Sequence, residues 1–304
     1  TPEWLFALFQ QSYGEQTNTE LAALNVEAPV DLRVNTLKID RQACLELLRK
    51  QGLDVTETPI SPLGLRQSKR TPVSGLAEFK SGLFEVQDEG SQLLALCCQP
   101  KAGQRVIDFC AGAGGKSLAL AALMDNKGSI LACDVSEQRL TELSKRAKRA
   151  GAFNIRSLQL TSEHDKRLKR HIQSADIVLI DAPCSGSGAW RRNPDARFNL
   201  DMARFEELCR LQESILQSAA RLVKPGGTLV YATCSMLQQE NQDQISKFLN
   251  KNNEIFELVD LNSTNFSTYF GDPTPLYSKC FQATPAQSNT DGFFAAMLMR
   301  KPID

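Results

Sequence analysis

Cys184 and Cys234 are the residues of this chain whose type and surroundings point most directly to chemistry. Cys184 lies in DAPCSG (181–186) after the apolar run ADIVLIDA, and Cys234 lies in YATCS (231–235) at the end of GTLVYATC. Each run reads as a buried strand. As parallel neighbours, the two strands would carry both sulfurs to the carboxyl end of one sheet, where open α/β sheets bind ligands. A nucleophilic thiol in such a place can attack an electron-poor ring carbon and later be expelled, a step that one route to methylating a pyrimidine carbon requires. The bland alternative is a pair of inert core thiols, and the Pro-, Ser- and Gly-rich phrases around them weigh against it.

A second chemical phrase precedes these. DFCAGAGGKS (108–117) stands where a first strand turns into a first helix. Its glycines let backbone approach a ligand and expose helix N-terminal amides to an anion. A dinucleotide fingerprint counted from Gly112 would need Gly where Ser117 stands, and a phosphate-binding loop ending in Gly115-Lys116-Ser117 would need Gly where Cys110 stands. Both patterns are broken. Asp134 closes the next strand, where an acid can hold both hydroxyls of an adenosine ribose. That favours an adenosine-containing ligand without choosing among several; a tight turn with no ligand is the plain reading of the loop alone.

The elements that must position these groups follow from periodicity. Residues 1–30 read as two short helices; DLRVNTL (31–37), DVTETPI, GLRQS and GLFEVQ read as strands, with a helix over 41–52. From about residue 103 strands and helices alternate: RVIDFCA, helix 115–125, SILACDV, helix 137–150, IRSLQL, ADIVLIDA, helix 201–223, TLVYATCS, helix 238–251 and FFAAMLMRK. The expected fold class is α/β, a doubly wound, mostly parallel Rossmann-like sheet with a small N-terminal α+β subdomain. The expected division is residues 1–86 and 87–304, and 262–291 reads as a long loop.

With 304 residues, 42 % of them apolar, the chain can bury a large core. No apolar run reaches membrane-spanning length, and TPEWLFALFQQSYG lacks the basic start of a signal peptide. Nine cysteines, an odd number seated in apolar elements, favour reduced thiols and a cytoplasmic setting. Cys44, Cys97, Cys98, Cys133 and Cys209 read as core. His164 and His171 have no paired ligands, so no metal is expected. Lys+Arg and Asp+Glu both number 35, so net charge makes no case for nucleic acid. Of the local basic clusters, 145–149 and 166–170 read as solvated helix faces, whereas Arg191, Arg192 and Arg197 follow the Cys184 loop and would rim its cleft.

Taken together, the phrases PVDLRVNTLK (29–38), VQDEGSQL (86–93), DFCAGAGGKS, DAPCSGSG (181–188), RRNPDARF (191–198), YATCSMLQQEN (231–241) and DGFFAAMLMRK (291–301) give the chain a resemblance. It resembles the Sun/Fmu family of RNA cytosine-C5 methyltransferases, and most closely the bacterial 16S ribosomal RNA enzymes. The resemblance implies S-adenosyl-L-methionine as methyl donor, held by Cys110, Ala111, Gly112, Ala113, Gly114, Gly115 and Lys116, by Asp134 at the ribose and by Asp181. It implies Cys234 as nucleophile, Cys184 as the residue assisting release, and Asp181 as a contact of the target base. It also implies an RNA-recognition-like N-terminal unit and RNA as the partner, 16S ribosomal RNA ahead of transfer RNA; a monomer is expected, since nothing in the sequence suggests an obligate oligomer. Arg191, Arg192 and Arg197 would hold phosphates. A transfer RNA enzyme, or a catalytically weak ribosome-assembly factor of the same fold, is the alternative.

Thiolate addition at C6 would turn the ring into an enamine whose C5 can take a methyl group. An unperturbed cysteine, with pKa about 8.5, is only a few per cent thiolate at neutral pH, so a positive field or base must stand near it. The sequence does not name that group. Three departures from the family pattern stand out. Ala113 replaces the usual Pro, and Ser162 stands where an Asp commonly holds the adenine, with Glu163 or Asp165 as expected substitutes. The N-terminal helical RNA-binding domain of many bacterial relatives does not precede Thr1, as in a trimmed chain or a shorter family member.

Overall fold

Alternating apolar positions and a well-capped helix build the first sheet. The computed structural model describes residues 1–270, 276–277 and 279–302. After helices α1 (Glu3–Tyr13) and α2 (Thr17–Ala23) come β1 (Val30–Val34), α3 (Arg41–Lys50), β2 (Val55–Glu57), β3 (Gly64–Gln67), α4 (Ala77–Lys80) and β4 (Phe84–Val86). The four strands lie in the order β2-β3-β1-β4 with every neighbour antiparallel. This β-α-β-β-α-β order is the split arrangement of ferredoxin-like domains. Asp40 caps α3 by accepting from the Ala43 amide, and Cys44, Leu45 and Leu48 of that helix pack onto Leu32, Val34 and Leu65 of the sheet. The strand read as 31–37 stops at Val34, because the Asn35 side chain donates to the Gly82 and Ala150 carbonyls and turns the chain.

The larger sheet follows α5 (Glu89–Cys97). Its elements are β5 (Arg105–Asp108), α6 (Gly115–Leu123), β6 (Ser129–Asp134), α7 (Glu137–Ala150), β7 (Ile155–Gln159), β8 (Ala175–Asp181), α8 (Met202–Ala220) and β9 (Val223–Thr233). After them come α9 (Gln242–Asn252), β10 (Phe256–Leu258), β11 (Leu276–Tyr277), β12 (Cys280–Ala283), α10 (Pro285–Ser288) and β13 (Phe293–Arg300). Strand order is β11-β12-β13-β9-β8-β5-β6-β7, with β10 also pairing β13. From β9 to β7 the neighbours are parallel, and β13 runs antiparallel to β9. The chain steps outward from β5 to β6 to β7, then returns to lay β8 on the other side of β5. A crevice therefore opens at the carboxyl ends of β5 and β8, the point where winding reverses.

Burial on both faces explains the near-continuous apolar text of the central strands. One face is covered by α5, α6 and α7, the other by α8 and α9. Helix α7 shows the device clearly: Leu140, Leu143, Ala147 and Ala150 form its buried stripe, Ser136 caps its start and left-handed Gly151 ends it.

Several expectations need correction. The stretch 262–291 is not one long loop, since β12 pairs β13 and the turn Asn265–Tyr269 buries Phe266 against Phe281, ring centroids 5.6 Å apart. Four residues of alternation were too few to announce a strand; residues 271–275 and 278 of that stretch lie outside those described. The helix read as 238–251 begins with a 3-10 turn, Gln238–Glu240, and Asn241 breaks from helical geometry before α9. The basic cluster 145–149 is not wholly solvated, because Arg146 and Arg149 both pair with Glu85 of β4 and tie helix α7 to the small sheet. Helices α1 and α2 lay Leu5, Phe9 and Leu24 on Trp190, Phe205, Met236 and Leu237 of the larger unit. Among the described residues no helix is long and apolar enough to cross a membrane.

Candidate active site

The glycine loop closes over the end of β5. Gly114 caps α6 at φ 83°, and a Cβ there would stand 2.5 Å from Leu143 Cγ, so both conformation and space select glycine. Gly112 is also left-handed, at φ 55°, and has no atom within 4 Å of its missing Cβ, so the cradle opens toward the cleft. At the end of β6, one Asp134 oxygen accepts from the Gly112 amide at 2.8 Å and the other from the Ser136 amide at 2.8 Å. Each oxygen keeps a lone pair that a ribose hydroxyl can use. Beneath the loop Asp108 is fully buried, accepts from the Ser117 hydroxyl at 2.6 Å and leaves its other oxygen without a partner. Burial pushes its carboxyl up to about 7, and Asp181 and Asp134 nearby add to the rise.

The two thiols meet across the neighbouring strands. Asp181 of β8 pairs with Ala232 of β9, so the loops after these strands start level with one another. Cys184 Sγ and Cys234 Sγ lie 3.4 Å apart. The hydrogen bond to the Cys234 sulfur, reinforced by burial, holds the Cys184 thiol well above the ordinary cysteine range. Cys184 is thereby biased toward its protonated form.

Lys116 Nζ sits 2.5 Å from Asp181 Oδ2 at the same spot. Burial works against its charge, but Asp181, with the Cys234 sulfur and Asp108 adding to it, more than offsets that and raises the ammonium above its ordinary value. Lys116 is therefore a charged group in the same cleft as the Cys234 sulfur. The sequence assigns it only to the cofactor loop, because a separation of 65 positions from Asp181 hides the pairing.

A cleft of about 310 Å³ gathers the two thiols, Lys116 and Asp181 with most of the glycine loop, whereas Asp108, Gly114 and Asp134 do not line it. Cys110, Ala111, Gly112, Ala113, Gly115, Lys116, Asp181, Cys184 and Cys234 line it, together with Gln87, Ser91 and Arg139, which sequence reading missed. Gln87 and Ser91 belong to the phrase VQDEGSQL that links the two sheets. Gln87 accepts from buried Arg33, whose guanidinium also donates to the Gly115 carbonyl at 2.6 Å, so the small sheet buttresses the glycine loop. Larger hollows of 520 and 760 Å³ elsewhere contain neither thiol nor any residue of this loop. Among the described residues no three His, Cys, Asp or Glu side chains gather as a metal site.

Two expected groups are placed otherwise. The Arg191 side chain is 1 % exposed and donates to Asp291 at 2.9 Å and to the Asn289 carbonyl, so it is a buried strut and cannot reach a phosphate. Arg192 bridges Asp291 and Asp88 with a third of its side chain exposed, and Arg197 lies on the surface beside the Phe198 ring. Glu163 accepts from the Ser214 hydroxyl, and Asp165 is engaged by Arg167 and Thr161, so neither reaches the cleft in place of the missing acid at Ser162.

Comparison with known proteins agrees with this geometry. Residues 95–299 match the family described as 16S rRNA methyltransferase RsmB/F, and residues 1–74 match its ferredoxin-like domain. The probable ribosomal RNA small subunit methyltransferase B of Synechocystis is 34 % identical over 98 % of this chain, and that of Bacillus subtilis is 33 % identical over 99 %. The chain spans 66 % of the length of each of these relatives. A solved methyltransferase homolog from Pyrococcus horikoshii superimposes with a TM-score of 0.84 at 29 % identity, covering 99 % of this chain and 95 % of its own. On these matches, with both cysteine phrases and the glycine loop converging on one crevice, the chain belongs to the RsmB/F family of 16S rRNA methyltransferases.

Proposed function

We propose that this protein transfers a methyl group from S-adenosyl-L-methionine to C5 of a cytosine in 16S ribosomal RNA through a covalent Cys234–C6 adduct. The observation that carries the reading is the 3.4 Å contact of the two sulfurs in the cleft shared with the glycine loop and the Lys116–Asp181 pair. The cofactor of the family is S-adenosylmethionine, which supplies the methyl group. Open space at Gly112 and the free lone pairs of Asp134 fit an adenosine, with loop 110–116 against it and Asp134 at the ribose.

In this reading Cys234 attacks C6 as a thiolate with the Lys116 ammonium beside it, the positive field that the sequence left unnamed. The C5–C6 pair moves into a C4–C5 double bond and the C4–N3 pair onto N3, which takes a proton from water, and Asp181 would hold the N3/N4 edge. C5 would take the methyl group that bound cofactor supplies, with the pair of the breaking S–CH3 bond left on the cofactor's sulfur. Loss of the C5 proton to water restores the double bond and expels the Cys234 thiolate. Cys184, protonated and in contact with that sulfur, assists release. The base must first leave its stack, at a cost of a few kcal/mol. Arg197 and the exposed part of Arg192 are the phosphate contacts in this scheme, and the unit up to residue 86 is a further RNA-facing surface.

Methyl transfer from tritiated cofactor to 16S ribosomal RNA, with transfer RNA as the parallel substrate, tests the proposal. Wild type is expected to label ribosomal RNA and Cys234→Ala is not; equal labelling by the two proteins would refute the nucleophile. Cys184→Ala should accumulate a protein–RNA adduct seen as a retarded gel band.

A further inference from the structure

Glu240 ties the two cysteine loops together from beneath. Its side chain is out of solvent on the turn that follows the Cys234 loop. One carboxylate oxygen accepts from the Ser185 amide at 2.8 Å and from Gln212 Nε2 at 2.9 Å. The other accepts from the hydroxyls of Ser185 and Ser235, both at 2.5 Å. Ser185 directly follows Cys184, and Ser235 directly follows Cys234. A single carboxylate thus grips the next residue of each loop. Ser187 adds a cross-tie, its hydroxyl 3.1 Å from that of Ser235 and accepting from the Met236 amide at 2.9 Å.

Among the described residues no cation ion-pairs with Glu240. A buried carboxylate without a counter-charge is expensive unless hydrogen bonds saturate it. Here all four acceptor positions are taken. Only a carboxylate offers two acceptor-only oxygens, whereas an amide would turn an NH2 toward two hydroxyls and force both to reverse. The chain keeps the expensive group where it must hold two loops from two strands in one register.

We propose that Glu240 is a positioning residue that sets the contact between Cys184 and Cys234, and that the methyl-transfer rate depends on it through that contact. The effect on rate rests on the function proposed above; the effect on thiol geometry does not. Phenylarsine oxide separates the two. Its trivalent arsenic forms two As–S bonds to adjacent thiols, and its oxygen leaves as water with the two thiol protons. Wild type is expected to bind it in a manner lost in Cys184→Ser. Glu240→Gln should weaken that binding roughly tenfold or more, and Ser235→Ala should do so to a smaller extent if the first variant folds poorly. Methyl-transfer kcat should fall in parallel by about tenfold to a hundredfold, as expected for misplaced reacting groups, with cofactor Kd unchanged. Wild-type arsenical affinity in both variants would overturn the proposal. Lost arsenical affinity in Glu240→Gln alongside a wild type that methylates no RNA would instead refute the proposed function and leave the latch standing.

Discussion

Replacing Asp108 with asparagine should change how stability depends on pH. In the fold the carboxyl is buried with one oxygen unpartnered, and burial lifts it from its ordinary 3.8 to about 7. The unfolded chain gives up that proton near 4, so between these values folding takes a proton up. Stability contributed by this group then falls as pH rises, by about 1.4 kcal/mol per pH unit, and levels off above pH 7. From pH 5.5 to 8 the loss amounts to roughly 2 kcal/mol, or about 3 °C in melting temperature for a chain of this length. Asp108→Asn removes the titration but keeps an acceptor for Ser117. Its unpartnered NH2 costs about 1–3 kcal/mol at every pH, so the difference between the two proteins isolates the carboxyl. Asp88, which burial and neighbouring Asp291 raise to about 6, titrates alike in both and cancels. Melting curves of the cofactor-free proteins at pH 5.5, 6.5, 7.5 and 8.5 should converge or cross as pH rises. Parallel curves would show that Asp108 is already ionised in the fold and would refute the desolvation argument.

Three further outcomes are expected. Gly114→Ala combines a left-handed φ with a contact of 2.5 Å to Leu143, so it should destabilise by about 2–4 kcal/mol in denaturant titrations, most of it in the region of the loop and α7. Asp134→Ala should weaken cofactor binding by roughly tenfold to a hundredfold in calorimetry through lost hydrogen bonds to a charged acceptor; unchanged affinity would remove Asp134 from the cofactor site. Arg191→Ala should lower stability by about 1–3 kcal/mol, because buried Asp291 loses one of its two cationic partners and keeps only Arg192, while leaving the salt dependence of RNA binding unchanged; Arg197→Ala should reduce that dependence with little effect on stability.

Much of this protein is written locally. The helix over Glu137–Ala150 matches its expected bounds because its cap, stripe and terminal glycine all lie within one short stretch. The strands that carry Asp108, Asp134, Asp181 and Thr233 announced themselves as buried apolar runs, and the phrases following them identified the family. What needed the folded chain were relations between distant residues. The register of β8 on β9 fixes the 3.4 Å between sulfurs 50 residues apart, and the return of the chain beside β5 brings Lys116 onto Asp181. Arg191 looked like a phosphate contact because its charge is visible in sequence, while its partner Asp291 lies 100 residues away. Glu240 falls inside the helix expected over 238–251, and nothing local marks it out until both loops close on it. Periodicity and capping act over a few residues and can be read in order; charge pairing, burial and the meeting of two thiols depend on which strands become neighbours.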